Sequence, residues 1–334
     1  MSDQTGDVSL PLPGSAEIWR IERERVRETL LRLLGDLPPR PAPVVKTTAR
    51  EKRDGYSLER FRFDNGAGAI VPGYCLVPDR LQASAPAVHY YHYHGGRYTL
   101  GKDELLAPNS RGISPAEELC GRGYVVLAID AYGFGERQGT GPGGPSETGA
   151  AEELSLAKLN LWLGRTLWGM MLRDELIALD VLAARPEVDP ERIGGLGMSM
   201  GSTRAWWMAA LDERIRALVC VCCLTRYQDL IRAGELRQHG IYYFVPGVLL
   251  HFDAETIVAL AAPRALCTLS GAEDAGSPLE GVERINEHVA RVYDLLGAAD
   301  AFRGVVYPSV GHTFTPEMWD ETLTWLDRWL LHPA

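Results

Sequence analysis

The sequence predicts an α/β fold, a mostly parallel central sheet with helices on both faces. Short, continuous apolar runs such as Ala87 to Tyr93 and Tyr124 to Asp130 read as strands buried on both sides. Further strands at 193–196, 216–223, 264–270 and 303–307 alternate with helical patterns at 167–184, 203–211, 280–296 and 316–330. That alternation is what a covered parallel sheet requires. With 334 residues, 46% of them hydrophobic, the chain can bury the large core such a sheet needs.

The elements follow in order. Residues 1–14 read as a loose tail. Residues 15–35 form an amphipathic helix, with Ile18, Ile21, Val26, Leu30, Leu31, Leu33 and Leu34 on its apolar face. Gly35 and Pro38-Pro39-Arg40-Pro41 stop it. Three β-like stretches near 44–49, 56–63 and 69–77 alternate imperfectly with charge, as antiparallel edge strands do. Residues 1–85 are thus expected to be an extension packed on the same domain, and 86–334 the core. Ser114-Pro-Ala-Glu117 is a capping box with Pro at the first helical position, opening a helix that ends near Gly121-Arg-Gly123. Two stretches, 132–166 and 225–258, read as long loops, which in a compact domain are usually lids or binding walls.

Composition excludes several functions. A net charge of −10 with no basic stripe argues against nucleic acid. Residues 1–15 are polar and acidic, without the basic start and apolar run of a signal peptide, and the most apolar run, Ala217 to Leu224, is too short to span a bilayer. The expected location is cytoplasmic, with no membrane partner. Of six cysteines, three cluster as Cys220-Val-Cys222-Cys223 with no second ligand pair at zinc spacing. They are expected to be buried free thiols on a central strand.

Chemistry concentrates at Gly197-Met198-Ser199-Met200-Gly201, a G-x-S-x-G between a short apolar run and an Ala-, Met- and Trp-rich helical stretch. Small residues two positions either side let sheet and helix approach, and the turn lifts Ser199 above the sheet edge. A serine hydroxyl needs a base. His312, in Gly311-His312-Thr313 between the last strand and the last helix, sits on the sheet edge where open α/β sites form. The base needs an acid, and strand 264–270 runs into Ser270-Gly-Ala-Glu273-Asp274. Glu273 and Asp274 compete, and the shorter Asp274 reaches across a turn more naturally. Oxyanion donors are expected from the N–H of Met200 and from Gly96 or Gly95 in His94-Gly95-Gly96-Arg97, with Gly96 favoured. Trp162, Trp168, Tyr242, Tyr243 and Phe244, from the two long loops, are expected to wall a substrate pocket.

Other motifs carry less. Gly96-Arg-Tyr-Thr-Leu-Gly101-Lys102-Asp103 approaches a phosphate-binding loop but has Asp where Ser or Thr would ligate magnesium. Gly195, Gly197 and Gly201 have the wrong spacing for a dinucleotide turn. His89, His92 and His94 lack an acidic partner, and strand packing with support of the glycine loop is the simpler reading. No metal and no cofactor are expected.

With these residues in place the chain resembles the α/β-hydrolase superfamily, and more narrowly the bacterial dienelactone-hydrolase-like and acetyl-xylan-esterase-like serine hydrolases. The likeness runs over roughly residues 85–330 through His94-Gly95-Gly96, Asp130-Ala-Tyr-Gly-Phe-Gly-Glu-Arg137, Val188-Asp-Pro-Glu-Arg-Ile193, Gly197–Gly201, Ala262-Pro-Arg264, Gly271–Asp274 and Gly311-His312. Dienelactone hydrolases proper differ in using a cysteine nucleophile. The resemblance implies an α/β-hydrolase fold, a triad of Ser199, Asp274 and His312, and hydrolysis of a small-molecule carboxylic ester, short acyl or acetyl esters favoured, through an acyl-enzyme. Two alternatives are a peptidase of the prolyl-oligopeptidase type, whose propeller 85 residues cannot build, and an inactive hydrolase fold used for binding. The oligomeric state stays open, a homodimer included.

Overall fold

The computed structural model describes residues 8–81 and 84–332. Helix α1 (Ala16–Leu34) starts at Ser15, whose side chain accepts the N–H of Ile18, and buries Trp19, Val26, Leu30 and Leu34. Of the expected N-terminal tail, residues 8–14 have no helix or strand, and 1–7 lie outside the described residues.

Strands β1 (Lys46–Lys52), β2 (Tyr56–Asp64) and β3 (Ile70–Pro78) form an antiparallel meander. It is not a separate layer. β3 pairs antiparallel with β5 (Val125–Ile129), which pairs parallel with β4 (Ala85–Tyr91). β6 (Val188–Met198), β7 (Ile215–Val221), β8 (Ala265–Gly271) and β9 (Phe302–Tyr307) continue in parallel beyond β4. Among the described residues one nine-stranded sheet results, in the order β1-β2-β3-β5-β4-β6-β7-β8-β9. β4 and β6 are neighbours in it, so the glycine loop after β4 and the serine after β6 emerge side by side.

Separate apolar cores cover the two faces. α2 (Pro115–Gly121) and α9 (Pro316–Leu326) pack on one face. α1, α4 (Leu167–Ala183), α5 (Met200–Leu211) and α8 (Leu279–Leu295) pack on the other. The capping box at α2 forms as expected, with the Ser114 hydroxyl accepting the N–H of Glu117 and the Glu117 carboxylate accepting that of Ser114. α5 is buried almost all round, Trp206 and Trp207 included, which suits a helix wedged between sheet and outer helices.

The long stretches hold more structure than expected. Stretch 132–166 contains α3 (Ala150–Trp162). Its pattern is mixed: Glu152, Glu153 and Asn160 are buried together with Leu156 and Ala157, while Leu154, Leu161 and Trp162 are exposed. A hydrophobic-period test therefore fails on it. Stretch 225–258 folds into α6 (Tyr227–Ala233), three short 3₁₀ turns and α7 (Ala254–Ala259). α9 stops at Leu326 and passes into a π-turn over Asp327–Leu331 instead of running on to 330.

Candidate active site

Ser199 follows β6 and directly precedes α5, at φ 57° and ψ −121°. A non-glycine residue at positive φ is strained and must be held by its surroundings. Its N–H donates to the carbonyl of Val221 on β7 (2.9 Å), and its carbonyl accepts from Thr203 (3.0 Å). The flanking glycines have no alternative. A Cβ on Gly197 would lie 2.4 Å from the backbone of Gly201, and one on Gly201 would lie 1.9 Å from the carbonyl oxygen of Tyr91.

The other two groups arrive on loops past β8 and β9. His312 Nε2 lies 2.8 Å from Ser199 Oγ, and His312 Nδ1 lies 2.7 Å from Asp274 Oδ2. An ionised carboxylate only accepts, so Nδ1 carries the proton and Nε2 is left to accept from the serine hydroxyl. Asp274 is buried, and its Oδ1 accepts the N–H of Gly276 (2.9 Å). Glu273, its sequence competitor, is exposed at the rim.

The expected oxyanion elements lie beside the serine. Met200 is the first residue of α5, and a first-turn N–H has no partner within its helix. Gly95 and Gly96 both line the same cavity. Gly96, favoured from sequence, donates its N–H to His94 Nδ1 (3.0 Å), which shifts the preference to Gly95. His94 Nε2 lies 2.9 Å from Glu153 Oε2, which fixes the tautomer that leaves Nδ1 as an acceptor. Glu153, buried on α3, was invisible in the sequence because it sits on the helix of mixed pattern.

The glycine loop is anchored from below. Arg204 on α5, fully buried, donates from Nη2 to the carbonyl of His92 and from Nη1 to Glu175 Oε1 (2.6 Å). Tyr93 N–H donates to Glu104 Oε2 (2.5 Å), and Ala131 N–H to His92 Nε2 (3.1 Å). β4 ends at Tyr91, so strand alternation does not extend to His92 and His94: His92 is buried and His94 faces the cavity.

A cavity of 590 Å³ opens over Ser199, walled by His94, Cys223, His239, Tyr242 and Asp274 among others. Of the five aromatics expected there, Tyr242 is in place. Tyr243 and Phe244 line a neighbouring hollow, Trp168 is fully buried behind Tyr242, and Trp162 is 90% exposed by a separate depression. Cys220 lies on β7, as expected of the cluster, but Cys222 and Cys223 follow its end at φ 58° and 49°. That turn brings Cys223 Sγ within 3.7 Å of Ser199 Oγ, and burial pushes its thiol up to about 12, which keeps it protonated. All six cysteines are buried and unpaired. Among the described residues, Cys222, Asp274 and His312 have ligand atoms within 4.8 Å of one another, but Asp274 and His312 spend theirs on each other. No helix among the described residues is long and apolar enough to cross a membrane.

The sequence profile of the Abhydrolase family matches residues 16–313. The "Putative hydrolase YtaP" of Bacillus subtilis (strain 168) is 40% identical over 310 residues, 92% of this chain and 100% of that protein. A "putative acetyl xylan esterase" from Bacteroides fragilis superposes with a TM-score of 0.71 at 21% identity, over 91% of this chain and 79% of that one. A glucuronoyl esterase from Solibacter usitatus superposes with a TM-score of 0.72 at 17% identity, over 98% and 100% of the two chains. At these identities the two structures bear on the fold.

Proposed function

The chain belongs to the Abhydrolase family, and on that premise we propose that it is a serine hydrolase of carboxylic esters, acetyl and other short acyl esters favoured. The observation that carries the reading is the line of hydrogen bonds from Ser199 through His312 to Asp274. His312 Nε2 takes the hydroxyl proton as Ser199 Oγ attacks the ester carbonyl. Asp274 holds the imidazole in the required tautomer and offsets its charge. The N–H groups of Met200 and Gly95 receive the developing oxyanion. His312 then returns the proton to the departing alcohol, leaving an acyl-serine. Water, deprotonated by the same nitrogen, releases the acid and restores the hydroxyl. No step calls for a cofactor.

The esterase names borne by the two structural neighbours, one for acetyl xylan and one for glucuronoyl esters, support an ester of a hydroxylated compound as substrate. Cys223, Tyr242 and His94 wall the cavity that opens over Ser199, and these side chains support a small acyl group. Turnover of an aryl acetate beside a peptide amide tests the reading. Hydrolysis of the acetate alone supports it, whereas cleavage of the amide alone makes the chain a peptidase.

A further inference from the structure

The serine cavity has an apolar neighbour. A second cavity of 410 Å³ is lined by Leu230, Ile231, Leu236, Tyr243, Phe244 and Val248 among others, with no charged side chain in its lining. One ridge, residues 236–244, divides the two and faces both. Leu236, Tyr243 and Phe244 turn to the apolar side, while Arg237, Gln238, His239 and Tyr242 turn to the serine side. Across the ridge, His239 stacks on Tyr243 with ring centroids 4.2 Å apart and planes 17° apart.

The ridge stands on the acid loop. His239 Nε2 lies 2.8 Å from the carbonyl oxygen of Gly276, whose own N–H donates to Asp274. The same loop carries Asp274, which holds His312, so the ridge borders the groups that serve the departing alcohol. The rim of the second cavity keeps apolar groups in water: Leu236 and Ile231 are each 43% exposed, Phe244 40% and Leu250 82%. Contiguous exposed apolar surface around a hollow marks a place where something apolar binds.

We propose that this second cavity is a leaving-group subsite, which takes the apolar alkyl or aryl arm of the alcohol laid over the 236–244 ridge from an ester carbonyl at Ser199. This rests on the esterase reading and adds the chemical class of the alcohol. The favoured substrate is then a small acid esterified to an alcohol with an apolar arm, the polar and apolar parts being sorted by the two sides of one ridge.

The test is a series of acetate esters from methyl to octyl, measured as kcat/KM on the intact protein and on Leu236→Asp and Phe244→Ser, both changed at exposed rim positions. Methyl acetate serves as the internal reference. The wild-type ratio to methyl acetate should climb over several carbons, by roughly fourfold per buried methylene. Leu236→Asp should lower the octyl-to-methyl ratio by about tenfold or more, chiefly through KM, and Phe244→Ser should lower it less. A flat wild-type series with methyl acetate turned over overturns the subsite and leaves the esterase reading standing. Turnover of no ester at all overturns both. Loss of a dimer in Leu236→Asp with the chain-length slope unchanged assigns the surface to a second copy of the chain and also overturns the subsite.

Discussion

Asp274 divides its two carboxylate oxygens, Oδ2 lying 2.7 Å from His312 Nδ1 and Oδ1 accepting the N–H of Gly276 at 2.9 Å. The backbone bond fixes the carboxylate so that the other oxygen is aimed at the imidazole. Asp274→Asn can present an amide to Nδ1 and hold the ring in the wrong tautomer. Its kcat should fall by roughly 10³–10⁴. Glu273→Gln, altered at an exposed position, should stay near wild type. The reverse outcome, measured by steady-state kinetics on a short ester, would move the acid to Glu273.

His94 orders the glycine loop through Gly96 N–H and is itself fixed by Glu153. His94→Ala removes the acceptor and frees the loop to shift. The expected effect falls on kcat more than on KM, by up to roughly 10²-fold, because a small displacement of the oxyanion donors is felt mainly in the transition state. An unchanged kcat would leave the loop without need of this histidine.

Glu104 offers a test by pH. Burial pushes its carboxyl up to about 7, although Tyr90 and Tyr93 donate to it. The native state therefore holds this proton more tightly than the unfolded chain does. The stability it contributes is fully present below the ordinary carboxylate range and is lost as pH rises through about 7. Glu104→Gln cannot ionise, so its Tm should fall less than that of the wild type between the ordinary carboxylate range and pH 8. Parallel Tm curves would show that Glu104 does not titrate in that window.

The acyl group should be small. Cys223 and Tyr242 bound the cavity beside Ser199, and Tyr242 is stacked against His94 and backed by Trp168. Overpacking costs roughly 1–3 kcal/mol, which outweighs the burial of an extra methylene that does not fit. Across aryl esters of one alcohol, kcat/KM should peak between acetyl and butyryl and fall by octanoyl. A profile rising through decanoyl would mean a channel in place of a closed acyl pocket.

Much of this was legible in the sequence, for physical reasons that also mark its limits. Buried parallel strands are continuous apolar runs, so β4, β5, β7 and β8 announced themselves. Ser199 was readable because its turn admits only glycine at 197 and 201, and His312 because it lies between the last strand and the last helix. Glu153 and α3 were not readable. That helix buries Glu152 against the 139–141 backbone and Glu153 against His94 and leaves Leu154 and Leu161 exposed, so its apolar residues do not mark its buried face. Cys223 and His239 were missed for another reason. Each reaches the cavity through an irregular turn, one at positive φ after β7 and the other directly after the 3₁₀ turn Leu236–Gln238, and no repeat pattern encodes such a path. Among the aromatics, size and position suggested a wall, but only Tyr242 faces Ser199. Which ring turns inward is decided by packing between segments far apart in the chain.

The central claim is that Ser199 is the nucleophile, and it is tested most directly by Ser199→Ala in a purified, folded protein assayed on a short acyl ester. Methyl-for-hydroxymethyl at this position removes one oxygen and leaves the strained turn, His312 and Asp274 where they are. Turnover should fall by roughly 10⁴-fold or more with the thermal transition little changed. Turnover within about tenfold of wild type would contradict the account, because a group other than Ser199 would then be accepting the acyl chain.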